Sequence, residues 1–276
     1  MSISQIGRYE VEKELTQGGM GVIFLAKDPY IQRQVVVKVL MYKHTLDDVY
    51  REFFQREAEV IAALEHPCIV PIYDFGWHGQ QPYIVMRYMS GGSLDDRLQK
   101  GEVKLTEMAH ILKRVSEALD AAHAAKIIHR DIKPSNILFD STGEAFLSDF
   151  GIAKSQTIAD DEGEWLVGTP AYMSPEQVKG DHVDGRSDIY ALGVTLYRLL
   201  SGKLPFASDS TTALINMHVD LPIPDIRKVK ANVPAVWQEV VAKAMAKDPN
   251  DRYPTASDFA RDVTEVVSGK WYLRKL

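Results

Sequence analysis

Apolar and polar residues alternate in three successive runs near the start, YEVEKEL, VIFLAKD and RQVVVKVL, which lie between residues 9 and 42 around a glycine-rich turn. A period of two puts every second side chain on one face, so this region reads as antiparallel strands. The period changes over residues 47 to 65, DDVYREFFQREAEVIAALE, where apolar groups recur at helical spacing until the His66-Pro67 break. A proline stops such a pattern because the residue before it is pushed out of helical backbone angles. Two further strand-like runs follow, IVPIYDFGW and QPYIVMRYM, and then the GGSL turn at 91 to 94, the expected hinge of the chain.

From Leu94 onward helical spacing dominates: Leu105 to Ala125, Arg186 to Leu200, Thr211 to Val219, Pro234 to Met245 and Ala256 to Val267. Thr106 is the expected N-cap of the first of these helices, and Thr255 or Ser257 of the last, since a hydroxyl there accepts from an orphaned helix N–H. Short strands, NILFD and AFLSD, flank the polar turn STGE at 141 to 144. The pattern predicts an α+β organisation: a small antiparallel β-sheet lobe with one main helix, joined to a larger, mainly helical lobe. No internal repeat or low-complexity tract interrupts it.

At 276 residues the chain exceeds the usual size of a single hydrophobic core, which fits two lobes. A formal charge of −6 argues against a nucleic-acid surface as the main function, because such surfaces need a basic excess to displace counterions. The single cysteine, Cys68, excludes an internal disulfide, and no Cys/His grouping offers a zinc site. A reducing, cytoplasmic compartment follows, with Cys68 as a small buried hydrophobe. The opening MSISQIGRYE lacks a signal-peptide pattern, and no apolar run is long enough for a membrane span. The basic, aromatic end GKWYLRKL reads either as a frayed terminus or as the approach to a membrane segment in a longer parent, in which case the chain would be its cytoplasmic domain.

The densest chemistry is HRDIKPSN at 129 to 136, followed thirteen positions later by DFG at 149 to 151. Together these segments supply a proton acceptor, a cation and two oxygen ligands for a metal, which is the equipment for moving a phosphoryl group. Upstream, LTQGGMGVIF at 15 to 24 is a glycine-rich turn, and Lys38 stands inside the apolar run VVVK. A glycine-rich hairpin alone is usually only a turn. A lysine in an apolar strand is costly to bury without a partner, and Glu57 and Glu59 of the following helix compete for it. They lie about 200° apart around the helix. Glu57 shares its face with Ile61 and Leu64, and so is the better candidate.

In this order the motifs make residues 9 to 267 resemble a eukaryotic-type protein kinase domain, closest to bacterial serine/threonine kinases. The resemblance implies a bilobal fold, with a small lobe at 9–90, a large lobe at 91–267 and a tail at 268–276. It implies transfer of the γ-phosphoryl group of ATP to serine or threonine hydroxyls of a protein substrate, with Mg2+, and autophosphorylation, in a homodimer if two copies act on each other. Asp131 would accept or orient the substrate proton, Lys133 would neutralise the transferred group, and Asn136 and Asp149 would hold the metal. Lys38 would reach the α and β phosphates with Glu57 as its ion pair, and Gly18, Gly19 and Gly21 would let the backbone approach phosphate. Ile23, Val36, Met86 and Leu138 would form the apolar slot for the base, with Met86 at its back and the Arg87 to Met89 main chain bonding the adenine. The KP pair at 133 and 134 is the serine/threonine version of the loop.

This sequence departs from the pattern at Thr16, where the first loop glycine is expected, at Val36, where alanine is usual, and at Arg87, where an acid is usual. Thr16 and Val36 support the alternative of a pseudokinase, a nucleotide-binding signalling scaffold without turnover. A small-molecule phosphotransferase would account for the catalytic loop but not for GTPAYMSPE at 168 to 176 with Arg252. In that segment the resemblance places Thr169 against Asp131 and Lys133, and pairs Glu176 with Arg252. His129, Phe150 and Asp188 would be internal scaffold, leaving the other seven histidines as surface or packing residues. Arg130 would capture a phosphate on Ser155 or Thr157, while Asp160, Asp161, Glu162 and Glu164 between them read as a solvated loop.

Overall fold

The computed structural model describes residues 3–18, 21–40, 48–101, 103–150 and 169–271. The chain divides into two compact units, Met1–Ser90 and Gly91–Leu276.

Among the described residues, the smaller unit is a six-stranded antiparallel sheet in the order β1-β2-β3-β4-β6-β5 with one helix. Its elements are β1 (Gln5–Ile6), β2 (Tyr9–Gly18), β3 (Gly21–Asp28), β4 (Arg33–Leu40), α1 (Asp48–Ala62), β5 (Ile72–His78) and β6 (Gln81–Arg87). The register sorts the side chains by face. Val22 pairs with Val39, Phe24 with Val37 and Ala26 with Val35, and these residues form one buried cluster with Ile6, Tyr9 and Val85. The short β1 was not legible as alternation, yet Ile6 is fully buried there. Helix α1 ends at Ala62, before the expected Glu65, because the chain tightens: Leu64 N–H bonds Ile61 O at 3.1 Å ahead of Pro67. Phe54 fixes α1 to β5, its ring meeting Phe75 and Trp77 edge-on at 6.4 and 5.5 Å.

The larger unit begins at the GGSL turn, and that turn is pinned. Gly91 N–H donates to Phe139 O, and Phe139 N–H to Gly92 O, both at 2.8 Å. A Cβ on Gly91 would stand 2.5 Å from Asp140 O, so no side chain fits. The helices are α2 (Leu94–Lys100), α3 (Leu105–Ala124), α4 (Pro175–Lys179), α5 (Gly185–Ser201), α6 (Thr211–Asp220), α7 (Ile226–Val229), α8 (Val236–Ala244) and α9 (Ala256–Val267), with the hairpin β7 (Ile137–Phe139) and β8 (Ala145–Leu147) between α3 and α4. Helix α5 is the core element, buried on nearly every face from Ser187 to Tyr197. Asp184 caps its N-terminus by accepting from Arg186 N–H. The expected Thr106 cap is wrong: Lys104 holds that position with no side-chain bond, and Thr106 lies inside the first turn. Thr255 does cap α9. No helix among the described residues is long and apolar enough to cross a membrane.

Candidate active site

In the smaller unit, the face opposite the valine cluster carries the residues singled out for nucleotide. Ile23 pairs with Lys38 across β3 and β4, and Lys38 with Ile84 across β4 and β6. Two residues along, Val36 pairs with Leu25 and Met86. Strand alternation therefore puts Ile23, Val36, Lys38 and Met86 on one surface. Glu57 is half-buried on α1, whereas Glu59 is exposed and accepts from Gln55 Nε2 at 2.9 Å. The Arg87 N–H is taken by Pro71 O at 3.0 Å. That group is therefore withdrawn from the expected adenine contacts.

The two described glycines of the hairpin differ in kind. Gly21 has φ +147°, and a Cβ there would sit 2.1 Å from Val39 O, so close packing of β3 on β4 already demands glycine. Around Gly18 nothing lies within 4 Å of an ideal Cβ, so its missing side chain serves space rather than packing. Gly19 lies outside the described residues.

In the larger unit the residues of HRDIKPSN converge on one carboxylate. Asp131 Oδ2 receives Lys133 Nζ at 2.9 Å and Asn136 Nδ2 at 3.1 Å. Its Oδ1 receives the Thr169 N–H and hydroxyl, each at 3.1 Å. Lys133 Nζ also donates to Thr169 Oγ1 at 2.6 Å. Asn136 spends its second N–H on Asp131 O at 2.8 Å. Its amide oxygen then points away with no donor among the described residues and is not a buried orphan, so it is open to a hard cation. Ser148 N–H and Oγ both bond the main-chain O of Asn136, which ties the residue before Asp149 to Asn136. Two protein oxygens, with phosphate and water completing the shell, suit Mg2+. Leu138 lies on β7 in the same unit, half-buried.

A second layer fixes this loop. Asp188, 1% exposed at the start of α5, accepts the N–H of His129 at 2.9 Å and of Arg130 at 2.8 Å. Arg130 and Asp149 are both left-handed, with φ 64° and 60°, a conformation that costs about 1–2 kcal/mol per residue outside glycine. The buried His129 ring bonds Ser148 O through Nε2 at 2.8 Å, accepts the Asp131 N–H at Nδ1 and lies 4.7 Å from the Phe150 ring. These two bonds define the Nε2–H tautomer. Glu176 and Arg252 meet through two bonds of 2.6 and 2.7 Å. Burial would raise the Glu176 carboxyl, but the Arg252 bonds and charge and the Ser187 hydroxyl outweigh it and hold the group below the usual range.

Reasoning from the sequence missed His123, which it classed with surface and packing histidines. The ring is 2.8 Å from Asp188 Oδ2, the acid that anchors the loop. No local signal marks it, because the partner lies 65 residues away. Gln177, which caps its own helix with Ser174 and donates to Arg130 O at 3.2 Å, was missed for the same reason. Gly151, Ser155, Thr157, the acids from Asp160 to Glu164, Gly168 and the tail after Trp271 lie outside the described residues.

A family model described as a protein kinase domain matches residues 9–271. The serine/threonine-protein kinase PrkC of Bacillus subtilis (strain 168) is 37% identical, over 93% of this chain and 40% of its own length. The serine/threonine-protein kinase PknB of Mycobacterium leprae (strain TN) is 40% identical, over 95% of this chain and 43% of its own. The chain thus spans less than half the length of these relatives. Among solved structures, the Mycobacterium tuberculosis PknI kinase domain aligns with a TM-score of 0.79 at 30% identity, covering 97% of this chain and 99% of that one.

Proposed function

This chain belongs to the protein kinase domain family, and on that premise we propose that it transfers the γ-phosphoryl group of ATP to serine or threonine hydroxyls of protein substrates. The family's reaction uses ATP and a divalent metal and acts on proteins, and the relatives are named serine/threonine kinases. The observation that carries the reading is the Asp131 carboxylate, which already accepts a threonine O–H, that of Thr169, at 3.1 Å. That is the substrate's own functional group, offered to the residue proposed to take or orient its proton.

Lys133, bonded to the same carboxylate, would neutralise the charge that develops on the transferred group. Lys38, with Glu57 as the proposed partner of its charge, would hold the α and β phosphates. Gly18, Gly19 and Gly21 would bring main-chain N–H groups to them. Ile23, Val36, Met86 and Leu138 would enclose the base, with hydrogen bonds from the main chain between Arg87 and Met89. Asn136 and Asp149 would ligate Mg2+, which when bound neutralises phosphate charge. The single cysteine supports a cytoplasmic setting. Autophosphorylation between two copies belongs to the same proposal, and activity that rises with protein concentration after MgATP is added would check it.

Radiolabelled MgATP with a generic protein substrate provides the test. Label is expected on serine or threonine, and Asp131→Asn should lower the rate about 10²–10⁴-fold. A wild-type protein that binds ATP yet labels nothing would be the signalling scaffold instead.

A further inference from the structure

The guanidinium of Arg198 on α5 is only partly used. Its Nη1 donates to Tyr172 Oη at 2.8 Å and to Asp95 Oδ1 on α2 at 2.7 Å. An arginine has five N–H donors in a rigid fork. Among the described residues nothing accepts from Nε or Nη2, and neither is a buried orphan, so both meet water on a side chain 25% exposed. Asp95 is the opposite case: one oxygen takes Arg198 and the other takes Gln99 Nε2 at 2.8 Å. The free capacity of this pair is therefore cationic.

The position matters as much as the vacancy. Thr169 rests on Asp131, and the 3-10 turn Pro170–Tyr172 starts directly from it, with Tyr172 N–H on Thr169 O at 2.9 Å. The buried Tyr172 ring then ends on Arg198. One such turn rises about 6 Å, and a tyrosine adds a similar length. An extended peptide covering about 3.3 Å per residue reaches Arg198 within about four residues of a hydroxyl placed on Asp131.

We propose that Arg198 determines substrate specificity, its Nε/Nη2 edge receiving a carboxylate side chain of the protein substrate a few residues from the acceptor hydroxyl. The proposal rests on the phosphotransfer reading for where the substrate lies. The Nε/Nη2 edge matches a carboxylate in two parallel bonds, which lysine cannot reproduce. The chain's net charge of −6 gives acidic peptides no general attraction, so a preference for them reports a local cation.

The test uses fluorescent peptides in which alanine replaces the acceptor and a single glutamate is moved through the flanking positions. Binding is read by anisotropy, so no turnover is needed. One glutamate position should bind about ten-fold tighter than the neutral parent. Arg198→Gln should abolish that preference. Asp95→Asn, which removes the neighbouring negative charge and keeps the guanidinium, should enlarge it. Equal binding at every position in the wild type, or a preference that survives Arg198→Gln, overturns the proposal. If the selective binding is present while radiolabel transfer is absent, the phosphotransfer reading fails and the acidic docking site stands.

Discussion

Removing the Arg252 side chain as Arg252→Met tests how much of the larger unit depends on one buried ion pair. All five N–H groups of Arg252 find acceptors: Nε on Ala246 O, Nη1 on Glu176 Oε1 and Arg186 O, Nη2 on Glu176 Oε2 and Lys247 O. The arginine side chain is 0% exposed and that of Glu176 7%. The variant leaves Glu176 with the Ser187 hydroxyl at 2.5 Å and no cation. Breaking a pair this deep costs about 3–5 kcal/mol. At about 2–4 °C per kcal/mol for a unit of this size, the melting temperature should fall by about 6–20 °C. Urea unfolding followed through the buried Trp237 measures it directly.

The sign with pH is also determined. The Glu176 pKa is lowered in the folded state, so the stability it contributes is complete above its unfolded value and is lost as pH falls through the folded one. In Arg252→Met, burial, the largest single influence on Glu176, keeps raising the carboxyl while only the Ser187 hydroxyl and a main-chain bond oppose it, so the gap between variant and wild type should narrow in acid. Glu176→Leu combined with Arg252→Met removes the stranded charge and should be more stable than Arg252→Met alone. A single variant within about 1 kcal/mol of wild type, or a double variant less stable than the single, would refute the reasoning.

His218, fully buried against Tyr190, is held at about 4 by burial and then by Lys247. It is neutral in both states above pH 6.5; below that the unfolded chain protonates first, so stability should drop by about 1.4 kcal/mol per pH unit down to about pH 4. His218→Phe should flatten that part of the pH profile in thermal melts. Gly21→Ala, with a Cβ 2.1 Å from Val39 O, should destabilise the smaller unit by about 1–3 kcal/mol. Gly18→Ala, with open space around it, should melt like wild type while raising the KM for ATP; a matching loss of stability in both variants would cancel the distinction.

What could be read from residues alone was whatever is periodic or contiguous. The alternation in VIFLAKD and RQVVVKVL located β3 and β4 and the shared face of Ile23, Val36 and Lys38. HRDIKPSN keeps Asp131, Lys133 and Asn136 close enough that their convergence is local. Other features were hidden because their cause is distant or lacks a period. The strand β1 is too short to alternate. The start of α3 is set without a capping side chain, so Thr106 attracted an assignment that the fold does not use. The engagement of the Arg87 N–H by Pro71 O is a main-chain event that no side chain announces. The tie from His123 to Asp188 and the branch of Arg198 to Tyr172 and Asp95 join helices far apart in sequence, and only packing brings them together.

The left-handed backbone at Arg130 and Asp149 limits what can be transplanted. Excised as a peptide, or grafted onto another scaffold, the octapeptide from His129 to Asn136 would relax at Arg130, because the bonds that hold it come from an aspartate 58 residues further on. A graft that is to keep the arrangement must carry the beginning of α5 with it. Recombination between relatives should accordingly tolerate crossovers outside the span from α3 to α5 better than crossovers within it.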